Sequence, residues 1–289
     1  MAPSTAIVDH KLPNQTHNTY DVTFFGDSVF TTLTWDPSIV SQWISGVEAV
    51  YRRHIDAGHL IVGLDVEWRP SFQRHVTNPA ATLQLCVGRR CLIFQLIHSP
   101  SVPPSLVAFL ANPRHTFVGI GIAEDLKKLQ KDYRFGFNTN PVDLRELAAE
   151  RYGRPDLKNS GVKSLAALVL GKEVEKPKIV TMSRWDNPWL TPTQVRYACV
   201  DAFVCFEIGR VLNASSPSTV GAAVSARGVR DSIDSSPSTV GYAVSARGVG
   251  DSNDSSPSTV GYAVSARGVR DSNDSSPSTV RFAVSAWAV

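Results

Sequence analysis

The sequence has no run of about twenty apolar residues, the length that a helix needs to cross the hydrocarbon core of a bilayer. Its first twenty residues are polar and lack the apolar core of a secretory signal peptide. No Lys/Arg-rich run of the nuclear-import kind stands out. We therefore expect a protein that contacts no membrane, is not secreted and works in the nucleus or the cytoplasm, with the nucleus slightly favoured.

Cysteine motifs are also missing. The four cysteines form no CxxC pair, and no histidine follows them at zinc-finger spacing. Three of them lie inside apolar segments, where a free cysteine behaves as a small hydrophobic residue. This pattern argues against a zinc finger and predicts reduced, structural cysteines.

A strong excess of either charge is absent as well. The formal net charge is +3 over 289 residues, which is too small to indicate nucleic-acid binding without a motif. With 43% hydrophobic and 19% charged residues, the composition is that of an ordinary folded protein. Function has to be argued from particular residues.

The C-terminal quarter is a tandem repeat with few large apolar side chains. A 20-residue unit begins at Ser215 and returns at Ser235, Ser255 and Ser275. Its Ser-, Gly- and Ala-rich composition buries too little apolar surface to offset the cost of ordering the chain. We predict that residues 214–289 are disordered. Alternation of Val, Tyr and Ala with small residues leaves a β-solenoid as the alternative.

The rest of the chain is predicted to comprise a flexible N-terminus over residues 1–18 and one domain over residues 19–213. Hydrophobic periodicity predicts strands over 20–35 (two strands), 60–67, 81–87, 91–97 and 115–119, and a further short strand is expected before the helix over 143–152. It predicts helices over 38–54, 103–111, 122–133, 143–152, 161–170 and 192–212. Three meandering strands followed by alternating helices and strands indicate an α/β fold, with one mixed sheet of five or six strands flanked by helices.

The strand over 60–67 carries the first chemical signal. Because side chains alternate along a strand, Asp65 and Glu67 point to one face, while the apolar side chains of Leu60, Val62, Leu64 and Val66 point to the other. Two neighbouring carboxylates repel each other, and a hard divalent cation is one reason for keeping them together. The alternative at this point is a solvent-exposed edge with two ordinary acids.

The second signal is a third acid, Asp125, in the first turn of the predicted helix over 122–133 and off its apolar face. A carboxylate there is favoured by the helix N-terminus, and this would explain Asp125 without any catalytic role. Gly119 and Gly121 precede the helix, but the third glycine of a dinucleotide-binding loop is missing. The sequence therefore excludes that class of site.

The last helix supplies the third signal. Thr191 and Gln194 form a capping-box pattern around Pro192, so the helix is predicted to begin there. Tyr197 and Asp201 follow with i, i+4 spacing, which puts the phenol and the carboxylate on one helix face.

In this order, Asp65-x-Glu67, Asp125 and Tyr197-x-x-x-Asp201 resemble the DEDDy group of 3′–5′ exonucleases. The likeness is greatest to the Werner-type exonuclease domains and their plant relatives, with RNase D more distant. The segments Ala81–Val87 and Ser183–Leu190 also look like parts of that family. The repeats have no counterpart in it.

The resemblance implies an RNase H-like fold and metal-dependent hydrolysis of phosphodiester bonds from the 3′ end of DNA or RNA. It further implies two Mg²⁺ or Mn²⁺ ions held by Asp65, Glu67, Asp125 and Asp201. Tyr197 would orient the attacking water. The rival interpretation is a nucleic-acid-binding module on the same fold with little catalysis.

The residues that bind the nucleic-acid strand are predicted in less detail. Trp68 could stack on the terminal base, and Trp185 and Trp189 are assigned to packing. The basic residues between the second and third motifs could contact phosphates of the nucleic acid: Lys163, Lys172, Lys176, Lys178 and Arg184. A protein partner could bind the repeat tail, and unwinding would need a separate helicase.

Overall fold

The structure is a computed structural model that describes residues 5–12 and 16–215. The predicted repeat tail, apart from its first two residues, lies outside the described residues. No helix among those described is long and apolar enough to cross a membrane.

The described chain forms one eight-stranded mixed sheet with helices on both faces. The strands are β1 (Thr5–Asp9), β2 (His17–Phe24), β3 (Asp27–Thr34), β4 (Leu60–Glu67), β5 (Thr82–Val87), β6 (Arg90–Phe94), β7 (His115–Gly119) and β8 (Pro141–Asp143). The helices are α1 (Pro37–Val50), α2 (Arg52–Asp56), α3 (Pro104–Ala111), α4 (Ile122–Tyr133), α5 (Leu144–Tyr152), α6 (Val162–Leu170), α7 (Lys178–Thr181) and α8 (Pro192–Val211).

The sheet order is β1-β2-β3-β6-β5-β4-β7-β8. Strand β4 pairs antiparallel with β5 and parallel with β7, and β8 is parallel to β7. The carboxyl ends of β4, β7 and β8 therefore meet at one edge of the sheet. That edge carries Glu67, so the segments entering β7 and β8 lie at the opposite edge.

The predicted α/β class with a mixed sheet is confirmed, but the sheet has eight strands rather than five or six. The additional edge strands are short. Strand β1 pairs antiparallel with β2, so Thr5–Asp9 belongs to the sheet and the predicted flexible N-terminus over 1–18 is wrong for these residues. Strand β8 is three residues long and is defined by its pairing with β7. Of the two, β1 has no alternating pattern long enough to be recognised locally, whereas β8 lies where the sequence predicts a short strand.

The predicted helix over 38–54 is two helices: α1 ends at Val50, Tyr51 caps it, and α2 begins at Arg52. The final helix begins as predicted. Thr191 Oγ1 accepts a hydrogen bond from the Gln194 backbone at 3.3 Å, and Gln194 Oε1 accepts one from the Thr191 backbone at 3.0 Å. These reciprocal bonds satisfy two of the free N–H groups at the helix start.

Strand β4 separates two hydrophobic cores. Its residues Leu60, Val62, Leu64 and Val66 pack with α1, α3 and α4 on one face. The other face meets α8, which is buried along most of its length. The alternation that predicted a two-faced strand is therefore confirmed, and it directs the side chains of Asp65 and Glu67 towards α8.

Gly63 permits the close contact between β4 and α8. A Cβ at this position would overlap the carbonyl oxygen of Ala202 and come within 2.8 Å of the Phe206 nitrogen. Both are backbone atoms of α8, which cannot turn aside as a side chain can. A larger residue at position 63 would therefore separate the helix from the strand.

We expect Gly63→Ala to lower the free energy of unfolding by about 1–3 kcal/mol, the usual cost of overpacking a core. Urea denaturation of the full chain followed by circular dichroism measures it. Gly46→Ala is the matched control, since a Cβ there meets only Arg90 Nη1 at an ordinary 3.8 Å and lies in α1. Alanine favours a helix by up to about 1 kcal/mol over glycine, so this control should lose no stability. Equal midpoints for the two variants would contradict the role given to Gly63.

Candidate active site

Two acids come from β4. Asp65 and Glu67 are half-buried on the face that meets α8, and Oδ2 of Asp65 is closed off from solvent. In the antiparallel register they lie opposite Gln84 and Thr82 of β5. Directly opposite residues share a face of the sheet, so these two polar side chains are neighbours of the acids.

The third acid comes from α8. Asp201 is only 3% exposed and Tyr197 is 7% exposed, one turn apart on the face towards β4. Trp185 supports the phenol from behind, with its ring centroid 5.9 Å from that of Tyr197. The predicted i, i+4 pair thus faces the predicted strand pair.

Asp65, Glu67 and Asp201 form a three-acid cluster in which one oxygen of each lies within 4.8 Å of the others. Such crowding of buried negative charge favours the protonated forms. Burial, and then Asp201, raises the pKa of Asp65 to about 7. Burial, and then Asp65, raises the pKa of Glu67 well above its ordinary value.

Asp125 lies near the three-acid cluster but is not part of it. It is buried in the first turn of α4. Burial, and then the charge of Asp65, raises its pKa to about 8. The fourth predicted carboxylate therefore shares the electrostatic environment of the cluster while standing further from it.

A lysine balances part of this charge. Lys176 Nζ lies 2.6 Å from Asp201 Oδ2 and 5.2 Å from the centroid of the Tyr197 ring. Burial opposes its charge, but Asp201 and Asp65 outweigh that effect and raise the pKa of Lys176. Lys176, predicted as one of the possible phosphate contacts, instead forms an ion pair inside the acidic site. No periodicity marks it, because it lies between α6 and α7.

One buried oxygen of the cluster suits a cation in particular. Among the described residues, Oδ2 of Asp65 receives no hydrogen bond, whereas Oδ2 of Asp201 is held in an ion pair by Lys176. A buried carboxylate oxygen without a donor is costly. Carboxylate oxygens are the ligands preferred by Mg²⁺ and similar ions. The donor set therefore fits a divalent metal.

The other predicted substrate residues are spread over the surface. Lys163 and Lys178 are exposed, and Lys172 is paired at 2.9 Å with Asp27, the first residue of β3. Arg184 pairs with Asp186 at 3.2 Å. None of these four joins the carboxylates.

The exposure of the three tryptophans agrees only in part with the roles predicted for them. Trp68 is half-buried and lies under Lys128, whose Nζ is 4.9 Å from the ring centroid. Trp185 is fully buried, in agreement with packing. Trp189 is 77% exposed, so its assignment to packing is wrong. The sequence could not separate the two because both lie in a segment without helical or strand period.

Comparison with known proteins bears on the same residues. The chain matches the family model described as "3′-5′ exonuclease" over residues 41–215, which include all four predicted acids and Tyr197. A 3′–5′ exonuclease of Arabidopsis thaliana is 36% identical over 160 residues, which make up 54% of each chain. The mouse bifunctional 3′–5′ exonuclease/ATP-dependent helicase WRN is 33% identical over 147 residues, or 50% of this chain and 10% of that protein. The chain thus spans about half the length of the plant relative and a tenth of the mouse one.

Solved structures agree on the fold. Escherichia coli RNase D, described as an exoribonuclease involved in structured RNA processing, superposes with a TM-score of 0.52 at 21% identity. The match covers 63% of this chain and 44% of that one.

We expect Lys176→Met to bind Mn²⁺ roughly tenfold more tightly than wild type, because it removes a positive charge that competes with the ion for Asp201. Isothermal titration calorimetry on the full chain measures the affinity. Lys178→Met is the matched control, since Lys178 is exposed and outside the cluster. Unchanged or weaker Mn²⁺ binding in Lys176→Met would show that the ammonium and the metal do not compete.

Proposed function

We propose a reaction for this chain, which belongs to the 3′–5′ exonuclease family. In this proposal it hydrolyses phosphodiester bonds of DNA or RNA and releases nucleotides from the 3′ end. The observation that carries it is the convergence of Asp65, Glu67 and Asp201 beside the buried Tyr197, with Oδ2 of Asp65 buried and free of hydrogen bonds among the described residues.

Asp65, Glu67 and Asp201 would hold divalent metal, and Asp125 would assist from beside the three-acid cluster. We propose Mg²⁺ or Mn²⁺, since both accept carboxylate oxygens. When bound, such ions lower the pKa of water and stabilise charge on the attacking and leaving oxygens of the phosphodiester. The residues of the chain set where that chemistry takes place.

Tyr197 is suited to orient a water molecule and poorly suited to accept its proton. Burial, and then Asp201, raises the pKa of Tyr197 further above its ordinary value of 10.0. The phenol therefore stays protonated near neutral pH and can donate one hydrogen bond. Its position on the helix turn before Asp201 directs that donor towards the carboxylates.

Gln84 is a further polar neighbour that the motif did not predict. Its side chain is fully buried opposite Asp65, where Nε2 donates to Thr82 Oγ1 at 2.6 Å. Its Oε1 has no hydrogen-bond partner among the described residues. We propose that it keeps the interior of the site polar next to Asp65.

Two further expectations stay proposals. A protein partner could bind the repeat tail, and a separate helicase could supply unwinding, since the matching part of the mouse WRN relative is only 10% of that protein. A nuclear or cytoplasmic location likewise stays a prediction.

We expect the purified chain to shorten 5′-labelled single-stranded or 3′-recessed DNA or RNA from the 3′ end in Mg²⁺ or Mn²⁺, and not in EDTA. Asp201→Ala should reduce the rate at least about a thousandfold, because it removes a ligand of the proposed metal site. Denaturing gel electrophoresis gives the ladder, and circular dichroism checks that the variant is folded. Glu207→Ala is a matched control on α8, since Glu207 is paired with Arg210 at 2.7 Å instead of with the cluster. Binding of oligonucleotides without cleavage by the wild type would favour the binding-module alternative.

A further inference from the structure

Trp189 lies on a short loop that is fixed from beneath. We call residues 186–189 the 186–189 loop. Gln95 is buried, and its Nε2 donates to the carbonyl oxygens of Asn187 at 3.3 Å and Pro188 at 3.1 Å. His98 Nε2 donates to the carbonyl oxygen of Asp186 at 2.9 Å. A large aromatic side chain is thus held out towards solvent on a backbone that is anchored at three successive residues.

The residues that border the 186–189 loop on either side connect it to elements of the acidic site. Before it, Trp185 is buried against the ring of Tyr197. After it, Leu190 is buried and Thr191 caps α8. From Thr191 to Tyr197 the helix rises about 9 Å, so Trp189 stands within a few nucleotides' length of the proposed reaction.

Two arginines flank the loop. Oδ2 of Asp186 lies 3.3 Å from Arg69 Nη1 and 3.2 Å from Arg184 Nη2. Arg69 follows Glu67 by two residues, which places it at the same edge of the sheet as the cluster. Because one carboxylate is shared by two guanidinium groups, this rim keeps an excess positive charge. Each guanidinium has five donors, so donors remain for phosphate oxygens.

We propose that Trp189 is a stacking platform for an unpaired base of the strand whose 3′ end enters the acidic site, with Arg69 and Arg184 contacting the neighbouring phosphates. This inference rests on the proposed nuclease function. A fixed, exposed indole beside basic side chains is the combination by which proteins bind single strands without reading sequence. The shared Asp186 holds both guanidinium groups beside the loop that carries the indole.

A stacking platform at Trp189 should affect long substrates and leave short ones unaffected. A strand of eight or more nucleotides would reach Trp189, whereas a dinucleotide would occupy only the region of the carboxylates. Loss of the indole should therefore weaken binding of the longer strand and leave dinucleotide hydrolysis unchanged.

The test uses the full chain and a 5′-fluorescein-labelled dodecamer of DNA or RNA, with Ca²⁺ in place of Mg²⁺ and fluorescence anisotropy as readout. We expect Trp189→Ala to bind about tenfold more weakly than wild type (~1.4 kcal/mol) and Trp189→Phe to retain most of the affinity. Hydrolysis of a dinucleotide in Mg²⁺ should be the same for all three proteins. Phe137→Ala is the matched control, because Phe137 is an exposed aromatic residue in the segment entering β8, at the opposite edge of the sheet.

Three outcomes overturn this proposal, and they are distinguishable. If Trp189→Ala binds the dodecamer as wild type does while wild type degrades it, the platform is wrong and the nuclease function stands. If Trp189→Ala also loses dinucleotide hydrolysis, the residue supports the acidic site itself instead of the strand. If wild type neither cleaves nor binds any oligonucleotide, the proposed function fails and the platform with it.

Discussion

Helix α8 packs directly on strand β4 at Gly63, and the geometry of the acidic site depends on this contact. Without a Cβ at position 63, the backbone of the helix at Ala202 approaches the strand more closely than any other residue would permit. Asp201 precedes Ala202, and Asp65 follows Gly63 by two residues on the same strand face. One small residue therefore sets the separation between carboxylates that come from distant parts of the chain.

That proximity has an electrostatic cost which the protein meets only in part. Burial and mutual repulsion raise the pKa of Asp65 to about 7 and that of Asp125 to about 8, so a negative charge on either carboxyl is unfavourable at neutral pH. Lys176 supplies one positive charge against Asp201. In a site evolved only for stability, such a group of acids would be unfavourable, because buried charges that lack good partners destabilise the folded state. Binding of divalent ions is the physical reason we give for retaining it.

Sequence reasoning reached the acids because each sits in an element with a clear period. Alternation in β4 places Asp65 and Glu67 on one face, and the capping box at Thr191 fixes the helix on which Tyr197 and Asp201 are one turn apart. Pairing at the sheet edges was not predictable, since β1 and β8 are defined by partners distant in the sequence. Lys176 and Trp189 lie in segments without regular period, where only the fold decides which side chain turns inward and which is held outward. A lysine turned into an acidic site and a tryptophan exposed to solvent are the reverse of what composition favours.

The central claim is that Asp65, Glu67 and Asp201 form a divalent-metal centre, with Asp125 beside it. Anomalous diffraction from crystals of the wild-type chain soaked in Mn²⁺ tests it most directly. The account predicts two strong peaks, one among Asp65, Glu67 and Asp201 and a second between Asp65 and Asp125. Crystals that bind Mn²⁺ elsewhere while Lys176 remains on Asp201 and no peak touches these carboxylates would contradict it.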